Sequence, residues 1–346
     1  MYTLNPTDID KGSVFFDKLN ANFAEAANPQ SSHTDAECRT RFIAEMNKKA
    51  ALLGMESTTF YEPAGNQPAN YTDLSGYTDI WLTNNRNVMS AMDALRLTIY
   101  ASGIQHINDA WNIQSFTLNY RNGTTAKTAT ITSTVLNNST TPNSLSSLKA
   151  SYDILGGKTG SLTERTVDSV HWDGAQNIVM VVRSKSSGKV YAVSYLSKNR
   201  ANTESSNKIK DVKAALDYVD ANGSTPSILG NMAIAMLPEH TVSLFNRWNY
   251  PLLYSNNPST VMLPASVSKV MTAILLNDNV LDINQAATVH ESDRQPPTGT
   301  NFVAGDVLTL RDLLQCMLME SSNTSAQVIA RVVGGILLDR DANVME

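Results

Sequence analysis

Pro264-Ala265-Ser266-Val267-Ser268-Lys269-Val270-Met271-Thr272-Ala273-Ile274-Leu275-Leu276 is the stretch from which the rest of the chain is read. Proline fits just ahead of a helix start. The apolar residues from Val270 to Leu276 predict a helix behind it. Ser266 and Lys269 stand three apart, so a helix puts them on one face. A serine hydroxyl is a weak nucleophile until a base takes its proton. A lysine held in a desolvated pocket can be that base, because burial lowers an ammonium pKa. The spacing recurs by chance in many chains, and a capped amphipathic helix with a surface lysine also produces it.

Two further stretches change the weighting. Ser321-Ser322-Asn323 lies between two apolar helical runs, and Lys158-Thr159-Gly160 follows Ile154-Leu155-Gly156-Gly157. Ser-x-x-Lys, Ser-x-Asn and Lys-Thr-Gly together resemble the three active-site elements of the penicillin-recognising serine enzymes.

The bulk properties are compatible with this and exclude other classes. The 346 residues can bury a large core in one domain or two. A net charge of -5 gives no basic surface for nucleic acid. No apolar run approaches the ~20 residues of a membrane span. Two cysteines, Cys38 and Cys316, cannot build a disulfide framework or a zinc site and read as buried thiols. The histidines His33, His106, His171, His240 and His290 show no ligand spacing. Trp81, Trp111, Trp172 and Trp248 read as core or groove lining. No metal or organic cofactor is called for. The start, Met1-Tyr2-Thr3-Leu4-Asn5-Pro6, lacks the pattern of a signal peptide.

In chain order, residues 1–33 read as a separate lead. Asp17-Lys18-Leu19-Asn20-Ala21-Asn22-Phe23-Ala24-Glu25 resembles a short motif near the start of phage tail proteins, and also suits an amphipathic helix. Thr34-Asp35-Ala36-Glu37 is a capping box opening a helix through Phe42, Met46 and Leu53, stopped by Gly54. A helix is expected at Met89–Tyr100. Strands are expected at Ser115–Tyr120 and Lys127–Ser133, joined by Arg121-Asn122-Gly123-Thr124 as a hairpin turn. After Lys-Thr-Gly come strands at Asn177–Arg183 and Lys189–Leu196 and a helix at Ser206–Val219. Asp220–Pro226 is a linker. A second hairpin is expected from Asn231–Met236 and Thr241–Asn246, and a last helix from Ser325 to about Val333.

These segments resemble D-alanyl-D-alanine carboxypeptidases, the low-molecular-mass penicillin-binding proteins, from about Glu37 onward. Phe302-Val303-Ala304-Gly305 with Leu308-Thr309-Leu310-Arg311-Asp312-Leu313-Leu314 looks like the approach to the Ser-x-Asn loop. Phe42–Ala50 with Leu53-Gly54-Met55 is similar to the helix that follows that loop, and Leu155–Gly160 to the active-site strand. The order differs from the family's, because here Lys-Thr-Gly comes first. The chain reads as a circular permutation. Residues 34–220 hold the family's second half, 221–227 join its former ends, and 228–346 hold its first half, with 34–346 forming one catalytic domain. Residues near 335 and near 35 should then be neighbours.

The fold implied is α/β of the β-lactamase and penicillin-binding-protein kind: an antiparallel sheet flanked by helices, with an all-helical subdomain and the site between them. The resemblance makes Ser266 the acylated nucleophile, Lys269 its base, Ser321 a proton relay and Asn323 a group that holds the substrate amide or orients Lys269. Lys158 and Thr159 would bind the substrate's terminal carboxylate, with Lys158 supplying positive charge. Gly160 would admit the substrate strand, and the N–H groups of Ser266 and Ser161 would form the oxyanion hole. The implied partners are peptidoglycan peptides, with β-lactams as inhibitors and phage tail components as a further possibility. The chemistry points outside the cytoplasm or to a virion. Ser322 and Thr324-Ser325 depart from the family's small residue and Asp-Ala. Glu62 and Asn66 have the spacing of the water-positioning pair of class A β-lactamases, but Asn70-Tyr71 and Pro63-Ala64-Gly65 look more like the carboxypeptidase loop, where Glu62 stands at a position usually held by asparagine. The nearest rival is a β-lactamase or esterase of the same fold; the lead segment and the start without a signal-peptide pattern suggest a second, a virion protein that trims or binds cell wall.

Overall fold

The structure, a computed structural model, describes residues 33–66, 86–136, 145–162, 165–167, 170–172, 174–199, 207–221, 224–237, 250–295 and 298–344. The phage-tail-like lead lies outside the described residues, as do Trp81, Trp248 and His240.

The elements run α1 (Asp35–Leu52), β1 (Met89–Ser90), α2 (Ala91–Ser102), α3 (Gln105–Trp111), β2 (Ser115–Asn122), β3 (Thr125–Thr132) and α4 (Ser146–Lys149). Next come β4 (Tyr152–Leu162), β5 (Arg165–Val167), β6 (Val170–Trp172), β7 (Gly174–Ser184), β8 (Val190–Leu196), β9 (Lys198–Asn199) and α5 (Asn207–Ala221). The chain continues through β10 (Asn231–Leu237), β11 (Leu252–Asn256), β12 (Val261–Met262), a 3₁₀ turn at Ala265–Ser268, α6 (Lys269–Asn279), β13 (Ala286–Thr288), β14 (Asp306–Thr309), α7 (Leu310–Met319) and α8 (Asn323–Val344).

The fold is a mixed α/β one built on antiparallel sheets. The main sheet is ordered β11-β10-β8-β7-β4, with β9 also paired to β7. The alternation of β7 explains its two covered faces. Ile178, Met180 and Val182 point to one side, where Ile209, Val212 and Leu216 of α5 cover them. Val179 and Val181 point to the other side and join the large helical core with Phe42, Leu97, Trp111, Leu276, Leu313 and Ile329. α2 lies on this second side, its Leu95 against Ala192, Ala233 and Ala235. A smaller sheet, β13-β14-β2-β3, flanks the helical part.

β4 carries the most consequential geometry. It ends the main sheet, paired on one side to β7 from Tyr152↔Ser184 to Leu162↔Ala175. The 3₁₀ turn that carries Ser266 packs on the sheet face to which Gly160 points, against both β4 and β7.

Several expectations shift in detail. The last helix extends to Val344, and the short helix α3 has no counterpart in the sequence reading. The expected strand Thr241–Asn246 lies outside the described residues, and the described partner of β10 is Leu252–Asn256. The capping box at Thr34 and Glu37 forms with both reciprocal hydrogen bonds.

Residues near 35 and near 335 are neighbours. A Cβ on Gly334 would lie 1.8 Å from the Cys38 carbonyl oxygen, so α1 and α8 touch backbone to backbone and only glycine fits there. Arg41 pairs with Asp341 at 2.6 Å, and His33 with Asp339 at 3.3 Å. Arg39 of α1 and Arg331 of α8 both bind Asp293, whose side chain is fully buried. No described helix is long and apolar enough to cross a membrane.

Candidate active site

The 3₁₀ turn and the first turn of α6 bring Ser266 and Lys269 together. Lys269 Nζ donates to Ser266 Oγ at 2.8 Å, to Asn323 Oδ1 at 2.7 Å and to the Ala64 carbonyl at 2.7 Å. The lysine is fully buried, while Ser266 is half-buried and open on one side. Three oxygens surround one nitrogen with no carboxylate in direct contact: the ammonium donates to all three, while the free amine has two N–H groups for Asn323 and Ala64 and a lone pair for the Ser266 hydroxyl. Burial pulls the Lys269 ammonium down to about 7 against the opposing pull of Glu62. A substantial fraction of it is therefore the free amine near neutral pH.

The second cluster lies on β4. Lys158 Nζ donates to Ser321 Oγ at 2.9 Å and to the Thr159 carbonyl at 2.8 Å. Lys158 is fully buried too, and desolvation, with the charges of Lys269 and Lys208 added, holds its ammonium well below the ordinary lysine range. Burial therefore works against the positive charge expected on Lys158. An anion bound beside it would restore that charge. Thr159 Oγ1 lies 3.1 Å from Thr134 Oγ1, at the exit of β3. Ser161 is exposed and hydrogen-bonds Gln176 at 3.2 Å.

The spaces between these groups are set by glycines. A Cβ on Gly160 would come within 2.7 Å of the Pro264 carbonyl oxygen and 3.2 Å of the Ser266 nitrogen. A Cβ on Gly65, whose φ is +82°, would come within 1.8 Å of the Ala265 carbonyl oxygen and 2.9 Å of that same nitrogen. The Ser266 amide is thus flanked by two residues without side chains. Backbone strain gathers here as well, for Ala265 has φ 49° and Ser321 φ 70°. Non-glycine residues hold such angles only where surrounding structure imposes them.

All the residues singled out in the sequence meet here: Ser266, Lys269 and Asn323 in one cluster, Lys158 and Ser321 in the other, with Thr159, Gly160 and Ser161 along β4. Ser322 is buried and turns away from this cluster, its Oγ accepting from Ser325.

Other groups here were not flagged by motif. Asn177 is buried on β7, donating to the Leu263 carbonyl at 2.7 Å and accepting from the Ser197 N–H, so it ties the approach to the nucleophile onto the sheet. Lys208 of α5 reaches Gln176 Oε1 at 3.4 Å and the Asn177 carbonyl at 3.5 Å, and burial lowers it to about 8. A lysine amid the apolar face of α5 is the only sequence trace it leaves. Glu62 and Asn66 do not form a side-chain pair. The carboxylate of Glu62 accepts the backbone N–H groups of Ala64 and Asn66, within its own loop.

Ser266, Lys269, Ser321 and Asn323 all lie on the stretch from the 3₁₀ turn to α8. Residues 247–338 match the model of the D-alanyl-D-alanine carboxypeptidase family. That family's match takes in Ser266, Lys269, Ser321 and Asn323 and leaves out Lys158. The chain is also similar to a D-alanyl-D-alanine endopeptidase of Pseudomonas aeruginosa, with 32% identity over 82 residues, 23% of this chain and 26% of that protein. The likeness therefore spans about a quarter of the relative's length. No solved structure matches the chain.

Proposed function

We propose that this protein is a serine peptidase acting on D-Ala-D-Ala-like ends of peptidoglycan stem peptides, through an acyl-enzyme on Ser266. The observation that carries the reading is the 2.8 Å contact between Ser266 Oγ and a fully buried lysine amine poised near neutrality.

In this reading the free amine of Lys269 takes the Ser266 proton as Oγ attacks the substrate carbonyl. The developing oxyanion lies against the N–H groups of Ser266 and Ser161; the close approach of the Gly160 and Gly65 backbones to Ser266, which a side chain at either position would block, supports this by bringing β4 up to the Ser266 turn. Removing one such donor typically costs about 10²–10³ in rate. Ser321, hydrogen-bonded to Lys158, passes a proton to the leaving amine. Asn323 holds Lys269 in line. The terminal carboxylate of the substrate meets Thr159 and Lys158, which regains its charge there, with Lys208 adding positive potential from behind. Water then releases the acyl group from Ser266.

The chain order is, in the same reading, a circular permutation of the family's. Contact between α1 and α8 supports it, because ends opened there would lie side by side. The test of function is time-resolved labelling with a fluorescent penicillin, wild type beside Ser266→Ala. A lasting label lost in the mutant supports a slowly deacylating peptidase. A label that forms and vanishes quickly favours a β-lactamase. No label on wild type sinks the acyl-enzyme reading and leaves a wall-binding protein of this fold.

A further inference from the structure

The loop Glu62–Asn66 has the densest polar wiring around Lys269. Glu62 is 2% exposed, and its two carboxylate oxygens accept the N–H groups of Ala64 and Asn66. Between those two contacts the Ala64 carbonyl is presented to Lys269 Nζ. The Pro63 carbonyl accepts from Thr272 Oγ1 of α6 at 2.7 Å, and Gly65 lies on the Ala265 carbonyl. Asn87 clamps the outer side: it accepts the N–H groups of Tyr61 and Glu62 and donates to the Glu62 carbonyl and to Ser268 Oγ. The loop is thereby bolted to both faces of the turn that carries the nucleophile.

We propose that Glu62 is the positioning residue for Lys269: it holds the loop that gives Lys269 its backbone acceptor, and it places a buried carboxylate on the far side of that loop from the Lys269 amine. This rests on the reading of Lys269 as the base of Ser266. A neutral amide could take one of the two N–H bonds but would turn its own NH₂ toward the other, and it would carry no charge. When the Ser266 proton moves to Lys269 Nζ, a buried ammonium forms. The Glu62 carboxylate compensates it without approaching close enough to pin the amine in an ion pair.

The electrostatics agree with that geometry. Burial raises Glu62 to about 7, and each member of the pair favours the charged form of the other. The remaining charge facing Lys269 is Lys158 on β4, and the two ammonium groups disfavour one another; Lys208 bears in the same sense on Lys158.

The test uses the whole chain, wild type and Glu62→Gln, with ¹³C-labelled glutamate carboxyls and lysine Cε followed by NMR across pH, beside the pH profile of penicillin acylation. The expected result is that Glu62 and Lys269 titrate together near neutrality in the wild type. In Glu62→Gln the Lys269 midpoint and the acid limb of acylation both move down by about 1 unit or more, since the stabilising anion is gone. A folded Glu62→Gln with an unmoved Lys269 midpoint overturns the proposal, even if it is slow at every pH. So does a wild-type Glu62 that titrates in the ordinary carboxylate range, a result that decides the matter should the variant not fold. Wild type that takes no penicillin label but shows the coupled titration would fail the acyl-enzyme reading and leave the positioning of Lys269 by Glu62 standing.

Discussion

Ser321 offers a way to separate strain from chemistry. It sits at φ 70° and receives the Lys158 amine at 2.9 Å. An L-residue in the left-handed region costs about 1–2 kcal/mol. Glycine removes that cost but pays about 0.5–1 kcal/mol in chain entropy. Ser321→Gly should therefore be more stable than Ser321→Ala by about 0.75 kcal/mol at the midpoints of those two terms, within a range of roughly 0–1.5 kcal/mol. Both variants lose the hydrogen bond from Lys158, about 0.5–1.5 kcal/mol, so Ser321→Ala falls below wild type while Ser321→Gly stays close to it. Both should lose about 10²–10⁴ in acylation rate, the usual worth of a positioned proton carrier. Urea unfolding of the three proteins measures the first difference, and penicillin labelling measures the second. Equal destabilisation of the glycine and alanine variants would refute the strain argument. A wild-type labelling rate in either would remove Ser321 from the proton path.

Three further outcomes are expected. Acylation should be full above about pH 7 and fall roughly tenfold per unit below it, because the base must be the neutral amine and Lys269 is lowered to about 7; a profile flat from pH 5 to 8 would contradict this. Gly65→Ala must displace its loop, since the new Cβ would stand 1.8 Å from the Ala265 carbonyl oxygen; at least about 1–2 kcal/mol of stability is lost through the positive φ alone, together with labelling, by urea unfolding and gel readout. Asp293→Ala strips the carboxylate shared by Arg39 and Arg331 and should cost about 3–5 kcal/mol in urea, with Asp293→Asn costing less because it keeps one acceptor.

The sequence by itself determined the members of the site and the class of fold. Ser266 and Lys269 are tied by spacing along one chain segment, the Thr34 capping box is a local hydrogen-bond pattern, and the alternation in β7 and β8 is a property of the strand itself. Such signals need only a few neighbouring residues, so they survive in the one-dimensional record.

What the tertiary structure decided is everything set by approach between distant segments. Lys158 and Ser321 are 163 residues apart and meet only because folding brings β4 against the turn between α7 and α8. Lys208 and Asn177 carry no motif, and each matters through what burial places beside it. The pull of burial against positive charge on Lys158 could not be read from Lys-Thr-Gly, since desolvation belongs to the folded surroundings and not to the residue. Glu62 is legible as an unusual residue at its position, but its pairing with Lys269 depends on a loop conformation that only Gly65, lying against Ala265, allows.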